Sequence, residues 1–252
     1  MNNKTSLTAL FLSVAMLAAS PAQADCGQLP DHAALTAALK SSVKPSGGPS
    51  NGGLDLNMWA TIVDRDGTVC AVAFTGASYG DQWLGSRVIS AQKANTANAF
   101  SLNGLALSTA NLFTAVQPGN SLYGLQASNP VDPAVAYAGK AKKFGTPKDP
   151  MVGKRIGGVN VFGGGLGLYD AKDLVGAVGV SGDTSCADHN VAWRVRKALG
   201  LDKVTAGVSP NKDDGIIYDI ADGKSKGGFG HPTCGSKEAD VAVEIKAGSI
   251  VE

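Results

Sequence analysis

The sequence predicts a single α+β domain built around an antiparallel sheet. Two strand–turn–strand patterns, at residues 58–74 and 159–180, are each followed by a stretch with helical periodicity. Hairpins give antiparallel pairing, and the helices that follow them can cover the faces of the sheet. The length of 252 residues suits one domain with one hydrophobic core.

The first predicted element is a helix over residues 31–43. Asp31 is an N-cap residue, and Leu35 and Leu39 lie one turn apart on the same face. Residues 44–53 follow and are rich in glycine, proline and serine, so they are predicted to form a loop.

The first hairpin and the main helix come next. Residues 58–63 and 68–74 are apolar and partly β-branched, and the polar residues 64–67 between them predict a turn. A helix is predicted over residues 83–103, where recurring alanines would allow a close approach to a sheet.

Two basic residues of this helix, Arg87 and Lys93, either point to solvent or reach a ligand. Solvent is the commoner position for such side chains. Arg87 is nevertheless kept as a candidate ligand-binding residue.

Residues 105–149 lack a clear period and are punctuated by prolines. Short helices are predicted at residues 108–116 and 133–142. An irregular segment this long within one domain usually forms a lid or an interface.

The second hairpin is predicted from strands at residues 159–169 and 174–180. A helix starts after Thr184 and runs to about residue 199, where Gly200 can end it. The polar tail that follows contains an apolar run at residues 241–245, which we interpret as an edge strand.

The first 24 residues have the pattern of an export signal. Lys4 provides a positive charge, residues 7–19 are apolar, and residues 22–24 form an A-x-A cleavage site before Asp25. The apolar run is too short to span a bilayer. We therefore expect a periplasmic or secreted protein without membrane insertion, whose single domain spans residues 25–252.

The charge balance argues against two classes of partner. Lysine and arginine number 22, aspartate and glutamate 21. A nearly neutral chain has no basic surface large enough to predict nucleic-acid binding, nor a charge that would favour an anionic membrane.

The four cysteines of the chain predict two disulfides. An even number in an exported protein is typical of paired cysteines, and four residues allow three connectivities. Of these we favour Cys26–Cys70 together with Cys186–Cys234.

Cys186 and His189 form a C-x-x-H pattern, and His231 and Cys234 form its mirror image. This set could bind zinc through two thiolates and two imidazoles, but in an oxidising compartment the favoured alternative is a disulfide. In either case His189 and His231 would lie near each other, where they could bind a metal ion or haem iron. The third histidine, His32, is assigned no binding role.

The end of the second hairpin is a candidate ligand site. Ser181, Gly182, Asp183 and Thr184 lead from a strand into a helix, whose first N–H groups suit a carboxylate or phosphate. Asp188, one turn later, is included in the site. The alternative is an ordinary strand–helix turn with a cap.

Little else in the sequence indicates catalysis. Three glycines at 163–165 fit neither of the phosphate-binding patterns G-x-x-x-x-G-K-[ST] and G-x-G-x-x-G, so we expect a bulge or close packing there. The three histidines of the chain give little support for a catalytic triad. The sequence leaves open whether the protein is an enzyme.

Residues 58–74, 86–100 and above all 174–182, which contain GVSG after an apolar strand, resemble the GlcG/HbpS family of haem-binding and haem-degrading proteins. The resemblance implies a five-stranded antiparallel sheet flanked by helices and a homo-oligomer. It implies non-covalent haem as a cofactor in some members, and accessory roles in small-molecule catabolism in others.

Two features depart from the family pattern. Residues 105–149 resemble an insertion between the matching halves, and the Cys–His arrangement is not part of the core motif. The leading hypothesis is an exported protein that binds haem or another small ligand. The alternatives are an accessory enzyme of small organic acid catabolism and an oligomeric interaction module.

Overall fold

A computed structural model describes residues 26–171 and 173–247 of the chain. The predicted export signal, residues 1–24, lies outside the described residues. Within the part that is described, no helix combines the length and the apolar character needed to cross a bilayer.

The core of the fold is an antiparallel sheet of four strands. They are β1 (Trp59–Asp64), β2 (Val69–Phe74), β3 (Gly165–Asp170) and β4 (Asp173–Ser181). Their order in the sheet is β2-β1-β4-β3. Each predicted hairpin is present, because β1 pairs with β2 and β3 pairs with β4.

The expected fifth strand of this sheet is not found among the described residues. Two further strands, β5 (Ile220–Ala221) and β6 (Lys224–Ser225), pair only with each other in a separate two-stranded sheet. The prediction of a five-stranded sheet is wrong, since the main sheet has four strands in the described residues. The short strands β5 and β6 form a local hairpin in the C-terminal segment and do not extend the main sheet.

The two hairpins join through β1 and β4 at the centre of the sheet. Trp59 lies opposite Ser181, and Ile62 lies opposite Val178. Alternate side chains of β1 enter two separate core clusters, with Ile62 on one face of the sheet and Val63 on the other. A sheet buried on both faces accounts for the nearly continuous apolar sequence of its strands.

Helices cover both faces of the sheet. They are α1 (His32–Ser41), α2 (Ser86–Phe100), α3 (Leu125–Ser128), α4 (Pro133–Ala136), α5 (Ser185–Ala198) and α6 (Glu238–Ala247). Helix α2 packs against β1, β3 and β4 on one face, and α1 and α5 pack on the other face. Helix α6 packs on α5.

Local sequence explains where α1 begins and which face it buries. The Asp31 carboxylate accepts a hydrogen bond from the Ala34 N–H at 2.8 Å, so the predicted cap is confirmed. Leu35 and Leu39 are fully buried against the sheet.

Helix α2 approaches the sheet closely because the facing residues are small. Ala91, Ala94 and Ala97 are buried. Gly179 of β4 faces them, and a Cβ atom there would collide with the Ser90 carbonyl oxygen. The predicted close approach is thus confirmed.

The segment between α2 and β3 is irregular but packed. It contains short 3-10 turns at Thr109–Leu112, Thr114–Val116 and Ala141–Lys143, besides α3 and α4. Its apolar side chains form a cluster of their own, made of Leu107, Leu112, Val116, Val159 and Val161.

The predicted edge strand at residues 241–245 is wrong, because these residues belong to α6. The buried residues of α6, Glu238 and Ala242, are four positions apart, and Lys246 lies over the Trp193 ring at 5.8 Å. This spacing is helical. Val243, which the alternating pattern would bury, is 69% exposed.

Candidate functional site

The turn from β4 into α5 is held by hydrogen bonds within the chain. The Asp183 carboxylate accepts from the N–H groups of Leu54 at 2.9 Å and Leu56 at 3.2 Å. Thr184 caps α5 by accepting from the Ala187 N–H at 3.2 Å. Ser181 pairs with Trp59 as the last residue of β4. These contacts are those of a strand–helix turn with a cap, and ligand binding by Ser181, Gly182, Asp183 and Thr184 stays a prediction.

Glycines around this turn permit close packing. A Cβ atom at Gly182 would lie 2.7 Å from the Asn57 carbonyl oxygen, and its φ of +151° is unfavourable for other residues. A Cβ atom at Gly164 would collide with the Val180 carbonyl oxygen. The interpretation of residues 163–165 as a point of close packing is therefore confirmed.

An ion pair is buried beneath the turn. Lys93 Nζ lies 2.7 Å from Asp188 Oδ2 and donates to the Val180 carbonyl at 3.2 Å. Asp188 Oδ1 accepts from the Asp183 N–H at 2.9 Å. Burial raises the pKa of Asp188 to about 6, although the charge of Lys93 opposes this shift.

Arg87 is also buried, so the expectation that Arg87 and Lys93 point to solvent is wrong. Its Nε donates to Asp149 Oδ2 at 2.9 Å, and its Nη1 donates to the Ala136 carbonyl at 2.9 Å. The guanidinium stacks on Phe144 at 3.9 Å. Arg87 therefore ties α2 to residues 136–149, and its hydrogen-bonding groups are not turned towards Asp188.

Both predicted disulfides are present, and none of the four cysteines is free. Cys26–Cys70 links the segment before α1 to β2, with Cα atoms 5.3 Å apart. Cys186–Cys234 links the first turn of α5 to the segment before α6, with Cα atoms 6.1 Å apart. In this oxidised state the cysteines offer no thiolate to a metal ion, so the zinc alternative does not apply to it.

His231 lies beside the second disulfide. Its Nδ1 is 3.9 Å from Cys186 Sγ and donates to the Pro232 carbonyl at 2.7 Å. The ring packs on Phe113, with centroids 5.0 Å apart. Burial lowers the pKa of His231 to about 4, so the imidazole is neutral at pH 7.

His189 is enclosed between α5 and the C-terminal segment. Its Nε2 accepts from the Ile216 N–H at 3.0 Å, so the proton of the neutral ring is on Nδ1. His189 and His231 are each only 1% exposed, and His189 Nδ1 and His231 Nε2 have no hydrogen-bond partner. Burial also lowers the pKa of His189 well below its ordinary value.

His189 is buried, although the sequence predicts an exposed position one turn into the helix. A histidine nitrogen that binds haem iron needs open space in front of it, because a wide planar ring surrounds the iron. The rings of His189 and His231 are packed against protein on every described side. These two residues therefore do not fit haem in this conformation, and their binding of a metal ion stays a prediction.

His32, for which the sequence predicts no binding role, lines an open cleft of about 350 Å³. Its Nδ1 donates to the Val72 carbonyl at 3.0 Å. Its Nε2 has only a 3.5 Å contact with the Thr36 hydroxyl, whose proton is donated to the His32 carbonyl at 2.7 Å. The Nε2 lone pair is thus left for a ligand. The cleft is lined by Cys26, Pro30, Asp31, His32, Ala33, Cys70, Ala71, Val72, Thr146, Pro147 and Val152.

The signal that could have identified His32 is its place in the sequence. It follows the N-cap Asp31 directly, and Cys26 ties the same segment to β2. The sequence does not indicate the remaining wall of the cleft, because that wall is formed by the irregular segment. It consists of Thr146, Pro147 and Val152.

The sequence matches a family model described as haem degrading protein HbpS-like over residues 51–196. Among curated proteins, none matches the sequence significantly.

Several solved structures are similar to the chain. The crystal structure of Klebsiella pneumoniae protein ORFY is 23% identical, with 77% of this chain and 98% of that chain covered and a TM-score of 0.45. A PduOC–haem complex is 24% identical, with coverage of 69% and 94% and a TM-score of 0.47. A double mutant of Streptomyces reticuli HbpS is 13% identical, with coverage of 78% and 99% and a TM-score of 0.39. These TM-scores are too low to bear on the site.

Proposed function

The chain belongs to the HbpS-like family of haem-degrading proteins, and from this premise we propose that it binds haem, with His32 as the ligand of the iron. The observation that supports this choice of residue is the different state of the two nitrogens of the His32 ring. Nδ1 is committed to the Val72 carbonyl at 3.0 Å, and Nε2 keeps its lone pair.

This arrangement is the one that proteins use to prepare a histidine for a metal. A backbone carbonyl that accepts from one ring nitrogen fixes the tautomer and orientation of the ring, and makes the other nitrogen a better ligand. In His32 the fixed nitrogen is Nδ1, and the chain supplies the carbonyl from the buried strand β2. The position of Nε2 is therefore set before any ligand arrives.

The walls of the cleft also suit a planar apolar group. Ala71, Val72 and Val152 offer aliphatic surface, and the Cys26–Cys70 disulfide holds the wall that carries His32 against β2. The cleft volume of about 350 Å³ is near the lower end of ligand pockets, about 300–1,000 Å³. Haem bound there would keep part of its edge in solvent.

We also propose that the protein works in the periplasm or outside the cell. The A-x-A site before Asp25 and two disulfides support this location, because cysteines are kept reduced in most cytosols. A role as haem-binding protein in that compartment requires no membrane anchor.

A haem titration tests the proposal. The wild-type protein should shift and sharpen the Soret band at micromolar concentration, and His32→Ala should remove most of the shift. His189→Gln is the control, since His189 is packed inside the protein, and melting temperatures will show that both variants are folded.

Two outcomes would contradict the proposal. No Soret change with the wild-type protein would remove haem binding itself. Loss of binding in His189→Gln with normal binding in His32→Ala would move the site to α5 and require residues 215–234 to open.

A further inference from the structure

A second group of side chains, independent of the haem proposal, has the composition of a metal site. Cys186, His231 and Cys234 place one ligand atom each within 4.8 Å of one another. In the structure the two sulfur atoms are bonded to each other. We propose that reduction of Cys186–Cys234 turns this group into a binding site for zinc or a similar thiophilic divalent cation.

The geometry requires only small movements. Zinc binds sulfur at about 2.3 Å and nitrogen at about 2.0–2.1 Å in a tetrahedron, so its ligand atoms lie about 3.3–3.8 Å apart. Cys186 Sγ and His231 Nδ1 are already 3.9 Å apart. Breaking the disulfide lets the sulfur atoms separate to the distance that a shared ion needs.

The surroundings of the group favour thiolates. Cys186 lies in the first turn of α5, and its N–H donates to Cys234 Sγ at 3.3 Å. This N–H group and the positive end of the helix dipole stabilise a thiolate at this position. Cys186 is fully buried beside Ala110 and Ile216, so the site excludes most competing water.

The unpartnered histidine nitrogens are the independent observation. His231 Nε2 is buried and has no hydrogen-bond partner, so it can take the ring proton when Nδ1 becomes a ligand. His189, one turn after Cys186, also has an unpartnered buried nitrogen, Nδ1. Three protein ligands leave one position of the tetrahedron open, as in zinc sites that are not purely structural.

The chemistry of the switch balances with a dithiol as the reductant. The dithiol gives two electrons and two protons to the sulfur–sulfur bond, becomes a disulfide itself, and leaves Cys186 and Cys234 as thiols. Binding of the cation then releases the two thiol protons. In the reverse exchange a small-molecule disulfide accepts the two electrons of the cysteine thiolates and two protons from water and becomes a dithiol. Cys186–Cys234 forms again and the cation is released, so occupancy of the site reports the redox state.

The other disulfide provides a matched control within the same chain. Cys26, Cys70 and Asp64 also place their ligand atoms within 4.8 Å of one another. Here, however, the third group is a carboxylate, which already accepts from the Thr68 N–H at 3.0 Å. This group has no imidazole and is the weaker site for a thiophilic cation.

Cobalt(II) is the probe, because thiolate and tetrahedral coordination give it distinct absorption bands. The protein is reduced with a dithiol, the dithiol is removed under anaerobic conditions, and the reduced protein is titrated with cobalt chloride. We expect one equivalent of cobalt with a thiolate charge-transfer band, no such band in the oxidised protein, and displacement of cobalt by zinc.

Variants decide which residues bind. Cys26→Ser/Cys70→Ser should keep the band, Cys186→Ser/Cys234→Ser should lose it, and His231→Ala should weaken cobalt binding at least tenfold. Cobalt bound by the thiols of an unfolded chain would not depend on His231. The band would then weaken equally in the two double cysteine variants. That result, or the absence of the band in the reduced wild-type protein, would overturn the proposal.

Discussion

Single residues of this protein carry charge into its interior, and three buried ion pairs are found among the described residues. Arg87 meets Asp149, Lys93 meets Asp188, and Arg196 meets Asp214. Each pair joins a helix that covers the sheet to a segment distant in sequence. A buried charge that loses its partner destabilises the fold more than an intact pair stabilises it.

Arg87→Met should therefore lower the free energy of unfolding by about 3–5 kcal/mol, because Asp149 would remain buried without its cation. Chemical denaturation measures the change. Arg155→Met is the control, since Arg155 pairs with Asp66 at the surface and its loss should leave stability nearly unchanged. Equal effects of the two substitutions would contradict a structural role for the Arg87 pair.

The raised pKa of Asp188 predicts a pH dependence of stability. A carboxyl group whose pKa rises from 3.8 in the unfolded chain to about 6 in the fold binds its proton more tightly when folded. Its contribution to stability is therefore full below pH 3.8 and is lost as pH rises to about 6. The unfolding free energy of the wild-type protein minus that of Asp188→Asn should therefore fall over this pH interval and stay constant at higher pH. A difference that grows with pH would show that the ion pair with Lys93 outweighs burial.

At the scale of elements, the sequence predicts what local patterns determine. Both hairpins and the helices α1, α2 and α5 follow from apolar periodicity, caps and turns. The partners of Arg87 and Lys93 could not be predicted, because Asp149 and Asp188 are brought to them by tertiary packing. For the same reason the sequence predicts neither the His32 cleft nor the burial of His189.

The helix α6 shows how a local pattern misleads. The β-branched residues Val241, Val243 and Ile245 alternate as in a strand. The contact with α5 instead buries positions spaced by four, including Ala242. Tertiary packing overrides a β-propensity that spans only about 1 kcal/mol.

Gly179 is the point at which α2 and the sheet are closest. Gly179→Ala should destabilise the protein by about 1–3 kcal/mol or more, because the added methyl group meets the Ser90 carbonyl, which cannot rotate away. Gly104→Ala should change stability by less than about 0.5 kcal/mol, because nothing lies within 4 Å of the added atom. Thermal melts of the two variants make the comparison. Similar melting temperatures would contradict the close contact.

At the scale of the whole molecule, the surface predicts self-association. Trp83 and Leu84 are neighbours in the sequence, and they are 54% and 62% exposed. Large apolar side chains that lie together at the surface often mark an interface. We expect a homo-oligomer in solution, and Trp83→Ser/Leu84→Ser should shift it towards the monomer. Light scattering after size exclusion measures the mass. A monomeric wild-type protein would remove this expectation.

The final prediction concerns the proposed export of the chain and its two disulfides. Closing loops of 44 and 48 residues, each disulfide should stabilise the fold by about 4 kcal/mol through the entropy of the unfolded chain. The protein therefore gains its full stability only where cysteines are oxidised, which agrees with an A-x-A site directly before Asp25. The intact mass of the exported protein should match a chain that begins at Asp25. Alkylation should add nothing before reduction and four groups after it. A mass that retains the first 24 residues would contradict cleavage, and alkylation without reduction would contradict the two disulfides.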